Sequence, residues 1–308
     1  MAEQITYSVV VPVFNEREVL SDLYKRMTSV MDKLGEPYEI IFVNDGSNDG
    51  SLELMKTLHS QDNRVKIINF SRNFGHQIAI SAGLDHSSGK AVIVMDADLQ
   101  DPPEILPQFV QKWKEGFDVV YGVRRRKGNL FKRISYKLFY KILSRISNIY
   151  IPEESGDFSL LSRRVVEAIK SAKERNRFIR GIRSWVGFNQ IGVEYGRPVR
   201  LGGEAKYTLR KLIKLALDGF FAFSWVPLRL STYAGLFISG ISFLLIIYAL
   251  YAKFIMKIPL VGWASIFVAV LFIGGIQLIM IGIVGEYIAR IYEEVKRRPL
   301  YFIKEIIE

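Results

Sequence analysis

The chain has no cysteine in 308 residues and only three histidines, His59, His76 and His86. Disulfides, thiolate zinc sites, iron–sulfur clusters and a cysteine nucleophile are therefore excluded. The histidines are too scattered along the sequence to indicate a His-based metal cluster. No Gly-x-Gly-x-x-Gly follows the first strand-like run, which argues against a dinucleotide-type site. Gly83 to Gly89-Lys90 has the outline of a P-loop, but it is one residue too long, lacks the Ser/Thr and precedes a strand-like run. No signal peptide is expected either. The chain begins Met-Ala-Glu-Gln without a basic n-region, and the apolar run Val9–Val13 is too short.

Acidic charge is scarce after residue 118. Residues 1–118 hold 11 basic and 18 acidic side chains, whereas the whole chain is +11. The basic remainder also carries the most apolar stretches, which points to a membrane surface before nucleic acid. Two spans lack charge altogether: Leu230–Ala252, 23 residues, and Ile258–Gly285, 28 residues. At ~1.5 Å per residue each exceeds a hydrocarbon core of ~30 Å, so a transmembrane helical hairpin is expected. Lys253 and Lys257 fall in the short link. Lys211, Lys214 and Arg229 precede the pair, and Arg290, Lys296, Arg297 and Arg298 follow it. The positive-inside rule then places both termini, and everything before residue 230, in the cytoplasm.

Between residues 6 and 124, short β-branched runs alternate with helix-period segments. The runs are Tyr7–Val13, Glu39–Val43, Val65–Phe70, Ala91–Met95 and Asp118–Tyr121, with amphipathic stretches such as Glu18–Leu34 and Ser51–His59 between them. This rhythm predicts βαβ units around a mostly parallel sheet, an α/β fold whose ligands gather at the carboxyl ends of strands. Polar clusters fall at those ends: Asn15-Glu16, Asn44-Asp45-Gly46-Ser47 and Asp96–Gln100. In the last, carboxylates two apart leaving a strand can converge on a hard divalent cation, with the Gln100 carbonyl as a third oxygen. Such an ion would neutralise a departing diphosphate. The plain alternative is a solvated acidic loop opening a helix at Asp101-Pro102-Pro103-Glu104.

The motifs Val10–Glu16, Val43–Ser47 and Asp96–Gln100 together resemble inverting glycosyltransferases of family 2. Ser155–Phe158, Arg180–Trp185, Gly203–Tyr207 and the two terminal spans narrow the likeness to polyprenyl-phosphate glycosyltransferases, the group of dolichyl-phosphate mannose synthases and bactoprenyl-phosphate sugar transferases. The likeness runs in order from about Thr6 to Pro299. One departure is Ala205, where many relatives have Ser. The resemblance implies a GT-A (Rossmann-like) cytoplasmic catalytic domain over residues 1–208, a juxtamembrane amphipathic segment at 209–229, two transmembrane helices within 230–285 and a basic cytoplasmic tail at 286–308. It also implies location in a bacterial inner (plasma) membrane, with self-association left open.

For the site, the resemblance implies that Pro12, Phe14, Glu16 and Asp45 line the nucleotide pocket, with Asp45 suited to accept from a uracil or ribose. Asp96, Asp98 and Gln100 would hold Mg²⁺ or Mn²⁺ on the diphosphate, and Arg180, Arg183, Arg200 and Lys206 could close over it. Residues Val119–Tyr150 contain nine basic side chains and no acidic one. From Leu130 their apolar residues recur every three or four, which predicts a basic amphipathic helix near 130–147 suited to an anionic leaflet. A polyprenyl phosphate acceptor would meet Arg124, Arg126 or Arg133 there, with Ser135 nearby, since arginine binds phosphate oxygens in pairs. Asp157 matches the family's catalytic-base position. A phosphate monoester is already anionic at neutral pH, its second pKa being ~6, so Asp157 is expected to orient as much as to deprotonate. The expected donor is UDP-glucose, with GlcNAc, mannose and arabinose derivatives as alternatives. A tethered nucleotide-sugar-binding protein without catalysis is the rival of another class.

Overall fold

The computed structural model describes residues 4–125, 155–196, 226–256 and 262–308. The described residues fall into two units, one of 4–125, 155–196 and 298–308, the other of 226–256 and 262–297. The expected basic helix near 130–147 and most of the juxtamembrane segment lie outside the described residues.

The first unit is built on one sheet. Its strands are β1 (Tyr7–Val13), β2 (Tyr38–Asn44), β3 (Val65–Phe70), β4 (Ala91–Val94), β5 (Val119–Arg125), β6 (Ser155–Ser162), β7 (Gln190–Gly196) and β8 (Ile303–Ile307). They lie in the order β7-β5-β6-β4-β1-β2-β3-β8. β4, β1, β2 and β3 run parallel, β6 runs antiparallel to β4 and β5, and β8 antiparallel to β3. The unit's helices are α1 (Arg17–Leu34), α2 (Ser51–Gln61), α3 (His76–Asp85), α4 (Leu106–Lys114), α5 (Arg163–Ser171) and α6 (Ile179–Trp185).

Every residue of β1 and β2 is buried, as expected where both faces of a parallel sheet are covered. Alternate side chains feed two cores. Tyr7, Val9, Val11 and Val13 pack with Leu20, Leu23, Met27 and Met31, the apolar stripe of α1. Val10, Ile41 and Val43 pack on the other face with Ala79, Ile80 and Ala82 of α3 and Val165, Val166 and Ile169 of α5. Pro12 sits within this central strand at no cost to the ladder. Val10 accepts from Met95 on the β4 side, and Pro12 faces the same side two residues on, where the β1–β4 pairing has already ended at Val10↔Val94.

The second unit consists of α7 (Val226–Phe254) and α8 (Trp263–Val295). Within them Ser231–Ala252 and Val268–Val295 are long and apolar enough to cross a membrane. Large apolar side chains face outward along both, among them Phe237 at 70% and Leu278 at 72% exposure. The second helix starts five residues later than the charge-free span, and the link around Lys257 lies outside the described residues. The segment expected as a basic tail divides in two. Its first part continues α8 to Val295, and Ile303–Ile307 becomes β8, because its alternating apolar residues pair with the otherwise unfilled edge of β3.

Gly83 of α3 faces β1 so closely that an added Cβ would lie 2.1 Å from Val10 Cγ1. Helix propensity favours alanine there by about 1 kcal/mol, but overpacking a core costs about 1–3 kcal/mol. Gly83→Ala is therefore expected to lower the denaturation midpoint of the first unit within the full chain, and an unchanged or higher midpoint would contradict this packing.

Candidate active site

Strand register brings two distant acidic residues together. Val94 pairs with Ser159 across the antiparallel β4–β6 ladder. Two residues beyond Val94 is Asp96, and two residues before Ser159 is Asp157, so both emerge side by side at the carboxyl edge of the parallel strands. Asp157 thus lies on a strand, where an isolated Gly-Asp-Phe reads equally well as a turn.

Asp157 is 7% exposed and heavily bonded. Gln77 Nε2 donates to its Oδ2 at 2.9 Å, and Arg180 donates through Nε to Oδ1 at 3.4 Å and through Nη2 to Oδ2 at 3.3 Å. His76 Nε2 stands between the two acids, 3.3 Å from Asp96 Oδ1 and 3.8 Å from Asp157 Oδ2. Burial alone would raise the Asp157 pKa, but Arg180 and His76 outweigh it and hold the carboxyl far below the usual range. Reciprocally, the neighbouring carboxylates of Asp157 and Asp96 outweigh the desolvation of the half-exposed imidazole and hold His76 well above its ordinary value. Gln77 also ties α6 in place, its Oε1 accepting from the Ile179 N–H at 2.8 Å.

His76 and Gln77 were not among the residues expected from sequence. They begin α3 directly after the loop that follows β3, the one parallel strand whose carboxyl end was not read as a polar cluster. The run Ser71-Arg72-Asn73-Phe74-Gly75-His76-Gln77 was the available signal.

The acidic loop after β4 is tightly shaped. Asp98 Oδ1 accepts from the Gln100 N–H at 3.1 Å, and Leu99 takes a left-handed φ of 59° while 3% exposed, a conformation a leucine adopts only when its surroundings enforce it. Beneath it, fully buried Asp101 accepts from the Tyr195 hydroxyl and from Arg124 Nη2, and Arg124 Nε donates to Tyr195 at 3.1 Å. Burial and the neighbouring Asp96 push the Asp101 carboxyl upward, against Arg124. No group of three His, Asp or Glu side chains gathers around one metal position among the described residues. Asp96 and Asp98 nonetheless suit a hard cation: their carboxylates leave the end of β4 two residues apart, and the buried Asp96 Oδ1 faces the His76 imidazole at 3.3 Å.

The loops after β1 and β2 are cross-tied. Asn15, at φ 56°, donates its N–H to Ser47 Oγ and accepts from the Asn48 N–H, while the Glu16 N–H reaches Ser51 Oγ. Phe14 stands 40% exposed above them, whereas Pro12 is buried in β1. Asp45 is 2% exposed; its carboxylate accepts from the Phe74 N–H at 2.6 Å and the Gly75 N–H at 3.0 Å, so it faces the β3 loop from within. Gly46 permits this approach, since a Cβ would meet Asn73 N at 2.7 Å.

Two of the expected arginines lie beneath the site. Arg183 is 1% exposed, donating from Nη1 to the Gly156 carbonyl at 3.2 Å and lying 5.1 Å from the Tyr121 ring centre, while its Nε and Nη2 are buried without partners among the described residues. Burial lowers its pKa to about 10. Arg124 packs against Gly156, where a Cβ would fall 2.8 Å from Nη2. Both therefore brace the strand carrying Asp157. Arg126, Arg133, Ser135, Arg200 and Lys206 lie outside the described residues.

A family profile described as glycosyl transferase family 2 matches residues 8–170, and one described as the GtrB C-terminal hairpin matches 226–291. The chain is 50% identical to a Bacillus subtilis (strain 168) protein named uncharacterized glycosyltransferase YkcC, over 99% of this chain and 95% of that protein. It is 46% identical to the bactoprenol glucosyl transferase of Shigella phage SfII, over 97% of each. Among solved structures, glucosyl-3-phosphoglycerate synthase from Mycobacterium tuberculosis, with Mn²⁺, UDP-glucose and phosphoglyceric acid, aligns at TM-score 0.48 and 17% identity, over 69% of this chain and 76% of that one.

An arginine buried with two unpartnered donors is a poor choice for stability alone, because desolvating the charge is costly. Arg183→Met, which keeps an unbranched apolar stem and removes the charge, is expected to hold or raise the denaturation midpoint while lowering enzymatic turnover. A clear loss of stability would make Arg183 a structural anchor only.

Proposed function

The chain belongs to glycosyltransferase family 2, and from that premise we propose that it transfers glucose from UDP-glucose to a polyprenyl phosphate, with inversion, giving a lipid-linked monosaccharide. The observation that carries this reading is its identity, over nearly its whole length, with proteins named bactoprenol glucosyl transferase. The catalytic unit is a GT-A fold, and the matched hairpin coincides with the two apolar helices. In this reading the helices anchor the enzyme beside the lipid acceptor in a bacterial plasma membrane, with the catalytic unit and both termini on the cytoplasmic side.

The nucleotide lies over the loops after β1 and β2, with Phe14 as an apolar wall and Glu16 beside it, while Pro12 and Asp45 shape those loops from within. Asp96, Asp98 and Gln100 would hold Mg²⁺ or Mn²⁺, which would supply charge neutralisation at the departing diphosphate. Arg200 and Lys206 are assigned to offsetting the charge of that diphosphate. Arg126 and Arg133, with Ser135, receive the acceptor phosphate, and Arg124 and Arg183 add positive potential from below. One anionic phosphate oxygen attacks the anomeric carbon as the bond from that carbon to the diphosphate breaks, and the bonding pair leaves with the diphosphate. The nucleophile enters without a proton at neutral pH, its second pKa being ~6. Asp157 accordingly serves to orient the sugar and the acceptor, with Arg180 and His76 keeping it charged.

The test is transfer of label from UDP-glucose into organic-extractable lipid by the full chain, compared with UDP-GlcNAc, GDP-mannose and an arabinose donor. Transfer is expected from UDP-glucose, abolished by EDTA and restored by Mg²⁺ or Mn²⁺. Transfer from another donor alone replaces glucose, transfer in excess EDTA removes the metal, and no transfer from any donor defeats the reading.

Asp157→Asn is expected to lower kcat ~100-fold or more while donor affinity stays within a few-fold, the pattern of an interaction made in the transition state. Raising the pH should not restore it. Recovery at high pH would instead assign proton removal to Asp157.

A further inference from the structure

The strand that follows the hairpin touches the donor side of the site through two routes. In the first, the Tyr301 ring stacks on Phe70 at 5.1 Å, and its hydroxyl donates to Asp85 at 2.9 Å. The Phe302 carbonyl accepts from the Ser71 N–H at 3.0 Å, and its ring lies 6.4 Å from that of Phe74. Phe74 in turn packs edge-on against Phe70 at 5.6 Å. Phe74 and Gly75 are the residues whose N–H groups hold Asp45, and the next two are His76 and Gln77.

The second route is polar. Glu305, bonded to Lys56 at 2.9 Å, accepts from Asn69 Nδ2 at 3.0 Å. Asn69 Oδ1 accepts from Asn44 Nδ2 at 2.8 Å, and Asn44 Oδ1 accepts from the Ser47 N–H at 3.2 Å. Both routes end at the Asn44–Ser47 turn or at the loop clasping it.

From this geometry we propose that Tyr301 and Phe302 are positioning residues for the loop after β3, so that a segment beyond the hairpin sets affinity for the nucleotide-sugar. The loop is thereby ordered before the donor arrives, and binding does not have to order it. The affinity half of this inference rests on the donor site described under the proposed function; the ordering half does not.

The test uses the full chain in detergent and two readouts, amide hydrogen exchange across residues 70–78 and the dissociation constant for UDP-glucose. Phe302→Ala is expected to speed exchange there about tenfold and to weaken UDP-glucose about tenfold, with kcat and the acceptor KM within twofold. Phe302→Tyr should restore both, and Ile306→Ala, on the same strand, should alter neither. If Phe302→Ala fails to fold, Phe302→Leu, which keeps volume without the ring, replaces it. Unchanged exchange, or faster exchange with native donor affinity, overturns the inference. A native protein that binds no UDP-glucose defeats the donor assignment instead, and the exchange comparison still decides whether Phe302 orders the loop.

Discussion

An ionised carboxylate kept almost entirely from water is the constraint on which the rest of this site depends. A charge buried without partners is among the most costly features a fold can contain, so Asp157 dictates what surrounds it. Its partners come from separate elements: Gln77 as donor and His76 as a neighbouring cation from the start of α3, Arg180 from α6. Each of those elements must reach the same point within hydrogen-bond range, and the Gln77 bond to Ile179 shows how closely α3 and α6 are locked together to achieve it. Removal of a single partner leaves the charge uncompensated, which is why buried ion clusters respond so sharply to one substitution.

The acidic residues divide by environment. Asp45 and Asp101 are turned inward, one onto backbone N–H groups and the other onto Tyr195 and Arg124, and they determine the shape of the loops. Asp96 instead turns a buried oxygen to the His76 imidazole, next to the loop in which Leu99 is held at positive φ. For a non-glycine residue that conformation costs about 1–2 kcal/mol, and the Asp101 cluster beneath supplies the rigidity to maintain it. The strained Leu99 and the Asp96 carboxylate occur within four residues of each other, where a ligand would gain most from a preformed cradle.

Much of this was legible in the sequence where one physical signal dominated. The strands β1 to β4 are β-branched runs with few competing readings, and α1 shows its stripe of Leu20, Leu23, Met27 and Met31 plainly. α3 was not readable in the same way. Its residues Ala79–Leu84 are buried on every side, so the apolar-polar alternation that reveals a surface helix is absent. With α3 unrecognised, His76 and Gln77 remained isolated polar residues. Their role depends on pairing with Asp157, which lies 80 residues away and reaches them only through the register of β4 with β6. Arg183 shows the opposite difficulty: an arginine expected to close over the diphosphate turns out to lie inside the protein, a matter of helix phase that composition does not reveal.

The edge strand β8 also has a consequence for the order of manufacture. A ribosome completes β3 more than 230 residues before it reaches Ile303, and both apolar helices are made in between. Throughout that interval β3 presents an unfilled row of backbone donors and acceptors, the kind of edge that invites pairing with the wrong chain. The sheet is closed only once the helices have emerged, so an interruption of synthesis at the hairpin would release a catalytic unit whose fold is nearly finished but whose edge is still adhesive. Quality control that removes such fragments would be acting on a single missing strand.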